Sequence, residues 1–562
     1  MDEAIAQKYF SPDCLILAWE RIIRSTGKDS KDQFGIEVYQ SDLEANLIRL
    51  SQKLQNGQFE PNRPFKYYEP KASKTHRTKS VLYIEDALVY QCIANTVATN
   101  NYKKLTENNS SVFGSVLHPE VEKGLDLLKE EEPDFYFFQY YIPLYNKFIN
   151  SVNTEIANTN IKFKLETDIT GFFDGIPHSK LLVALNNFGV EPAILDLLAD
   201  SLNYYSGTKD SITPGVGIPQ GAPASFFLAN LFLYDLDYII GQKGYTYYRY
   251  MDDIRIYEET EEKLTEVLVL IDNYLKGKAL SLNTKKTSIE ELGTNREEQM
   301  LTVLQGYNDQ LSDPSPAQTK TEEDKCLDYA ALLSELMQDV SYLVKTVSDE
   351  ELIEICQNQL KESETYLLEK FSKITDPDLN SWEITSDENI KKNIIGITYK
   401  WRNANTILKN FQKEQLNLEL IPIWLFCLEH FFWKANHFCW NLNLYGPNDH
   451  VREKLQALLS KFTYYEWVRY QILSNLSTVQ TFDSTQLKKL FRASKEESSS
   501  LVRIGYYMIL LKHLNIEHQL YASLRQAIKD DADHYIKGRI FRFISTRNSK
   551  NKLNDLKYWF GL

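Results

Sequence analysis

From Ile161 the chain alternates strictly: Ile161, Phe163 and Leu165 fall on one side, Lys162, Lys164, Glu166 and Asp168 on the other. A period of two marks a strand with one dry face. A strand is therefore predicted, with Asp168 at its carboxyl end on the polar face. The segment Asp168-Ile-Thr-Gly-Phe-Phe-Asp174 closes it. A helix follows, with Pro177 in its first turn and Lys180 to Leu185 inside it. A second alternating region begins at Tyr245. Tyr245 to Arg249 is aromatic and β-branched, and Ile254-Arg255-Ile256-Tyr257 alternates apolar and polar. Between them stands Tyr250-Met251-Asp252-Asp253, so a hairpin is predicted with Asp-Asp at its tip. Gly215 to Ser225 lies between the two regions and is rich in glycine and proline. Phe226 to Ile240 is apolar on nearly every side, which reads as a buried helix opened by Pro223.

Beyond residue 309 the pattern changes. Residues 310–325 are polar, carry two prolines, and form the clearest linker. After them apolar positions recur with helical period. Leu327, Ala331, Leu332, Leu336, Val340 and Leu343 mark one stripe, and Leu455, Leu458, Leu459 and Phe462 begin another. Glycine becomes scarce. The expected organisation is a mixed α+β domain over 1–309, a linker over 310–325, and an all-α, helical-repeat-like domain over 326–562. No fixed-period sequence repeat is visible. The terminal Tyr558-Trp-Phe-Gly-Leu562 is apolar and points to docking, on its own domain or on a neighbouring subunit of a homo-oligomer.

A chain of 562 residues is too long for one ordinary domain. Its net charge of −14 argues against nonspecific coating of nucleic acid, though a groove alone can be positive. Local basic patches are Lys71 to Lys79 and the tail Lys537, Arg539, Arg542, Arg547, Lys550 and Lys552. Six scattered cysteines with no C-x-x-C signal neither zinc nor a disulfide framework and suit a reducing cytoplasm. The run Ile421 to Cys427 is far short of a membrane span, and no membrane partner is expected. Isolated histidines (His430, His437, His513, His518, His534) read as structural.

Two neighbouring aspartates at a turn repel each other and stabilise nothing alone. They make chemical sense around a divalent cation. Asp168, brought beside Asp252 and Asp253, would complete a carboxylate cluster suited to Mg²⁺, which takes few carboxylates and is completed by water and phosphate oxygens. Two such ions about 4 Å apart clamp the attacking and leaving oxygens of a phosphoryl transfer. Asp174 reads as a solvated loop acid.

Taken together, Asp168-Ile-Thr-Gly-Phe-Phe-Asp, Gly217-Ile-Pro-Gln-Gly-Ala-Pro-Ala-Ser225 and Tyr250-Met-Asp-Asp253 resemble, in order and spacing, three motifs of reverse transcriptases. Pro70-Lys71 with Arg77, Asp86 and Gln91 resembles the fingers region. Phe113-Gly114 resembles a short element that follows it. Leu280 to Asn283 with Lys286-Thr287 resembles the motif whose lysine approaches pyrophosphate, and Val303 to Tyr307 is similar to the primer-grip turn. The resemblance covers roughly residues 15–310.

It implies a right-hand polymerase with fingers and palm, followed by the helical domain. It implies Asp168, Asp252 and Asp253 as ligands of two Mg²⁺ ions, with Mn²⁺ as a substitute. Lys286 would donate a proton to pyrophosphate. Lys71 and Arg77 would hold the triphosphate of a dNTP. Gln220 and Gly221 would meet the nascent base pair, Tyr250 the primer terminus. Phe173 would abut the sugar and exclude a 2′-hydroxyl. The implied partners are dNTPs and nucleic acid, as RNA template or DNA product.

The inserted run Asp134 to Phe148 and the Asp-Ile-Arg-Ile wording after Met251-Asp252 are similar to bacterial defence-associated, abortive-infection (AbiK- and AbiA-like) reverse transcriptases, which also carry a helical region in place of a maturase domain. That resemblance implies antiphage defence and synthesis that is untemplated or primed by a tyrosine of the protein itself. Tyr9 and Tyr39 lie in an N-terminal segment read as mobile and are candidate primers. The alternatives are a mobility enzyme acting on a group II-like intron and a catalytically dead nucleic-acid scaffold.

Overall fold

The computed structural model describes residues 2–25, 32–107, 110–293, 296, 348–372, 388–514, 518–531 and 533–545. The linker at 310–325, the turn at Val303 to Tyr307, the stripe from Leu327 to Leu343 and the apolar end at Tyr558 to Leu562 lie outside the described residues. The chain divides into two compact units. One comprises Met1–Lys66 with Lys79–Leu304, the other Tyr67–Thr78 with Gln305–Leu562.

The first unit opens with helices α1 (Glu3–Phe10), α2 (Pro12–Arg24), α3 (Gln33–Ser41) and α4 (Leu43–Gln55). Their starts are set by local chemistry. The Asp2 side chain accepts from the Ala4 N–H and that of Ser11 from the Cys14 N–H, with Pro12 just inside α2. A two-stranded ribbon, β1 (Phe65–Pro70) and β2 (His76–Val81), of which Tyr67–Thr78 belongs to the second unit, leads to α5 (Ile84–Asn100), buried along most of its length.

These helices correct one expectation. Tyr9 and Tyr39 do not lie in a mobile arm. Tyr9 is buried in α1 and donates to Glu191 at 2.7 Å, and Tyr39 is buried in α3 and donates to Glu85. Burial and the acceptor carboxylates push both phenols far up, away from the phenolate a nucleophile needs.

Next come α6 (Tyr141–Ala157), β3 (Phe163–Asp168), α7 (His178–Asn187), α8 (Pro192–Tyr205), α9 (Pro223–Gln242), β4 (Thr246–Tyr250), β5 (Asp253–Glu258), α10 (Glu261–Gly277) and β6 (Ser288–Glu291). Pro177 stands just before α7, as its cap, rather than within its first turn. The strands form a sheet in the order β4-β5-β3-β6, antiparallel throughout. One sheet face is dry. Leu165, Ile254 and Ile256 are fully buried there, and α10 packs on β3 and β5. At about 1.5–3 kcal/mol for each such side chain, this face pins the register, because a one-residue slip would turn every one of them outward. Helix α9 alone among the described helices is long and apolar enough to cross a membrane, and 61% of that window is buried inside the protein.

The second unit carries α11 (Asp349–Phe371), α12 (Glu388–Asn410), α13 (Ile421–His430), α14 (Ala435–Asn443), α15 (Asp449–Lys461), α16 (Glu466–Val479), α17 (Ser484–Glu496), α18 (Ser500–His513), α19 (Gln519–Asp530) and α20 (His534–Ser545). The packing is local in sequence: α11 on α12, α14 on α16, α16 and α17 on α18. Leu455, Leu458 and Leu459 are buried on α15. His437 is fully buried and structural. It stacks on Tyr399 with centroids 4.0 Å apart, and its ring nitrogens meet Thr398 and Arg402 at 3.0 and 3.2 Å. In the tail patch, Arg539 lies over the rings of Tyr470 and Tyr535.

Candidate active site

The wet face of the sheet collects the acids. Alternation along β3 places Lys164, Glu166 and Asp168 on it, and along β5 Asp253, Arg255 and Tyr257. Asp168 stands directly opposite Asp253 in the β3–β5 ladder, and Tyr250 opposite Asp253 in the β4–β5 ladder. The turn between β4 and β5 is Met251-Asp252, with Met251 at φ 55°. A bulky residue with positive φ is strained and is held only where its surroundings fix it. Here Gly114 leaves the room it needs. A Cβ on Gly114 would stand 2.6 Å from the Met251 nitrogen. The same segment clips the hairpin from the side, with Phe113 N donating to Arg249 O at 2.9 Å and Arg249 N to Ser111 O at 2.8 Å.

Lys286 reaches the same place. The stretch from Leu280 runs alongside the end of β3. Thr170 N donates to Ser281 O at 2.9 Å, Asn283 N to Asp168 O at 2.8 Å, and the Thr167 and Thr287 hydroxyls are 2.7 Å apart. The Lys286 ammonium then pairs with Asp168 Oδ2. The glycine-rich segment is drawn in from the other side. Ile218 N donates to Phe173 O at 2.9 Å, Gly217 N to Ile176 O at 2.8 Å, and His178 Nε2 lies 2.7 Å from Gly217 O. Gly217, at φ 89°, leaves space a side chain would lose against the Asp174 carbonyl. Gln220 O accepts from Ser80 N at 3.0 Å, and Gly221 stands at φ 138°. Phe173 packs edge-on against Phe226 with centroids 5.3 Å apart. Lys71 and Arg77 stand on the tip of the β1–β2 hairpin, which belongs to the second unit.

Two features went unread in the sequence. The first is Arg255, which lies 3.4 Å from Asp253 and 3.8 Å from Glu166. Its signal was present, because a strand residue two places after Asp253 must share its face. The second is α6, which packs on this wet face. The Tyr250 ring meets Tyr145 edge-on at 4.9 Å and lies 5.9 Å from Phe148, Arg255 lies over Phe148, and Tyr248 donates to Glu155 at 2.8 Å. Tyr250 is thus held by the run that precedes β3.

The electrostatics mark a deficit of positive charge. Burial first, then repulsion from Asp168 and Asp253, pushes Asp252 up to about 6. Burial also raises Asp253, against the pull of Arg255. Asp168 Oδ1 is buried and lacks a hydrogen-bond partner. Among the described residues no three His, Cys, Asp or Glu side chains close into a ready-made metal cage. The carboxylates repel one another, and Lys286 holds one of them. An orphaned carboxylate oxygen and two acids driven toward protonation nevertheless fit a hard divalent cation, with Asp168, Asp252 and Asp253 as its oxygen donors.

The family model "Reverse transcriptase (RNA-dependent DNA polymerase)" matches residues 120–323. The chain is 26% identical over 165 residues to the retron Ec86 reverse transcriptase of Escherichia coli, covering 29% of this chain and 48% of that protein. It is 25% identical over 163 residues to the Pol polyprotein of the type-1 retrotransposable element R2 of Popillia japonica, covering 26% of this chain and 22% of that one. The matches thus span less than half the length of these relatives. Among solved structures, telomerase of Candida tropicalis with a fragment of telomeric RNA aligns at 13% identity and a TM-score of 0.29, over 71% of this chain and 65% of that one. A Cas6–RT–Cas1–Cas2 complex aligns at 12% identity and a TM-score of 0.26, over 98% and 67%. These superpositions are too loose to define a shared fold.

Proposed function

We propose that this chain, a member of the reverse transcriptase superfamily, is an RNA-directed DNA polymerase that adds dNTPs to a primer hydroxyl and serves bacterial antiphage defence of the abortive-infection kind. The observation that carries the reading is the cross-strand pair Asp168–Asp253 with Asp252 at the adjoining turn, half-buried and short of positive charge. The defence reading is supported by the run preceding β3 and by the helical region that follows the palm. Subunit association and a cytoplasmic site of action belong to the same proposal.

In the reaction the primer 3′-oxygen bonds to the α-phosphorus, and the bond to the bridging oxygen of pyrophosphate breaks. Two Mg²⁺ ions held by Asp168, Asp252 and Asp253 would supply the charge that offsets the developing negative oxygens. Lys286 has two partners to choose between. It neutralises Asp168 in the free protein, and in the reaction it exchanges that carboxylate for the leaving pyrophosphate, to which it gives its proton. Phe173 lies against the sugar edge and rejects a 2′-hydroxyl on size. Gln220 and Gly221 offer backbone and amide groups to the new base pair. Lys71 and Arg77 hold the triphosphate, Arg77 through a planar fork and Lys71 as a point charge.

The test is incorporation of labelled dNTPs with Mg²⁺ by wild type and by Asp252→Ala. Incorporation by wild type alone is expected, and equal incorporation by both would leave only a nucleic-acid scaffold. In the same assay Phe173→Val should admit ribonucleotides roughly 10- to 100-fold more readily, the scale of a steric change in an apolar pocket.

A further inference from the structure

The basic residues assigned to the triphosphate stand on a structure that should not hold its shape alone. A two-stranded ribbon is marginal in water, and β1–β2 is one. Its tip is a tight turn. Lys71 N donates to Thr75 O at 2.8 Å, Lys74 N to Lys71 O at 2.9 Å, and Lys74 adopts φ 64°. That turn fixes the tip internally but does not aim it.

Its further support comes from helical residues of the same unit. The tip, Tyr67–Thr78, is part of the second unit, and three contacts tie it to the start of α16. The Tyr68 N–H donates to Glu466 Oε1 at 3.1 Å, while Glu466 Oε2 accepts from the Ser499 hydroxyl at 2.5 Å. The Tyr465 hydroxyl donates to Lys74 O at 3.3 Å. The His76 ring lies 5.5 Å from Tyr68 and 5.5 Å from Tyr465, and Tyr465 is backed by Phe432 at 4.5 Å. Hydrogen bonds to an ionised carboxylate are about twice as strong as neutral ones. Glu466 is also in the first turn of its helix, where the dipole favours negative charge. A carboxylate bonded at both oxygens makes a firm anchor for one strand of the ribbon, and Tyr465 holds the turn itself at the residue between Lys71 and Arg77.

We propose that Tyr465 and Glu466 are positioning residues for nucleotide binding. They hold the hairpin tip in one conformation, so Lys71 and Arg77 can take up a triphosphate without first being ordered. This rests on the polymerase reading above.

Losing the tie removes binding energy shared by the bound nucleotide and the transition state, which raises KM and spares kcat. With the four dNTPs and Mg²⁺, Glu466→Ala should raise KM about tenfold with kcat within about twofold of wild type. Glu466→Gln should stay near wild type, since its amide oxygen still accepts from Tyr68 N–H and its amide nitrogen can donate to Ser499. Tyr465→Phe, which keeps the ring and loses one hydrogen bond, should raise KM about threefold. A second readout needs no activity. Trypsin should cut after Lys71, Lys74 and Arg77 several-fold faster in nucleotide-free Glu466→Ala than in wild type or Glu466→Gln. Unchanged KM and unchanged cleavage in Glu466→Ala would overturn the proposal. So would a fall in kcat equal to the rise in KM with no rescue by glutamine, because that pattern is general loosening. A wild type that incorporates nothing would overturn the polymerase reading, and the cleavage pattern would then decide the tie by itself.

Discussion

The β4–β5 hairpin carries charge on both of its faces, and the two faces treat it in opposite ways. On the dry side, Arg249 and Asp237 are nearly inaccessible and completely partnered. Arg249 Nε and Nη2 donate to the two oxygens of Asp237 at 2.8 and 2.6 Å. Its Nη1 serves Asn230 at 2.9 Å and Met251 O at 2.7 Å, and Tyr247 adds a bond of 2.7 Å to Asp237. On the wet side, Asp168, Asp252 and Asp253 face one another with Lys286 and Arg255 as their cations, one oxygen is orphaned, and two of the acids are driven toward protonation. A closed network of this kind fixes structure, whereas an open one stores electrostatic need. The hairpin uses the first to hold the second: Arg249 grips the carbonyl of Met251, the residue that sets the turn.

The contrast can be broken most sharply at the open end. Asp252→Ala should lower dNTP incorporation roughly 10³-fold or more, the scale of losing a group that acts on transition-state charge. Its thermal midpoint should hold or rise, because the variant removes a repelled, desolvated carboxylate. A clear fall in midpoint would mean that the acid is structural.

At the closed end the effects should exchange. Asp237→Ala leaves the Arg249 guanidinium buried without its counter-ion, at a cost of about 3–5 kcal/mol. Urea unfolding should show that loss, with any fall in activity following the folded fraction. A variant as stable as wild type would show that Arg249 finds other partners. Between the two lies Gly114→Ala. Its methyl would meet the Met251 backbone, so the turn must move while neither charge set loses a member. About tenfold lower incorporation is expected from a displacement of this kind, with stability reduced far less than in Asp237→Ala. Equal activity would show that the turn tolerates the shift.

The strands were legible because alternation is a direct consequence of the pleat. Ile161 to Asp168 and Ile254 to Tyr257 announce which face is dry, and the Asp168–Asp253 register follows once both strands are antiparallel neighbours. Helix α9 was legible from Pro223 and the apolar run behind it. The pairing of Asp168 with Lys286 was not, since it depends on 118 residues of intervening chain returning to the end of β3. Nor was the capture of Tyr250 by α6. The run near Phe148 was recognisable as an insertion, but nothing in its period said which face of which sheet it would cover. Tyr9 and Tyr39 misled for a related reason. An N-terminal position suggests a mobile arm, but their burial comes from partners at Glu191 and Glu85, which no local pattern reveals. The grouping of the hairpin tip with the helical domain is long-range in the same sense, joining Tyr68 to Glu466 across 398 residues.

A third acid lies between the two extremes and sharpens the rule. Asp86 is fully buried, and it accepts from the Asn62 N–H and side-chain amide at 2.9 and 3.0 Å and from the Tyr205 hydroxyl at 2.8 Å. Burial outweighs these bonds and pushes its carboxyl up to about 6. The sign follows from linkage. Between its unfolded value, near 3.9, and about 6, the folded chain binds a proton that the unfolded chain does not, so this group's contribution to stability rises as pH falls through that window and is level below it. In going from pH 7 to pH 5 wild type should gain about 1 kcal/mol relative to Asp86→Asn, which cannot titrate. Other carboxylates, such as Glu191 and Glu290, are held low by lysines and pull the opposite way at lower pH, so the informative quantity is the difference between the two proteins in urea midpoint at each pH. A difference that does not change with pH would mean that three hydrogen bonds suffice to keep a buried carboxylate ionised. Closure without a cation would then be as complete as the closure Arg249 gives Asp237.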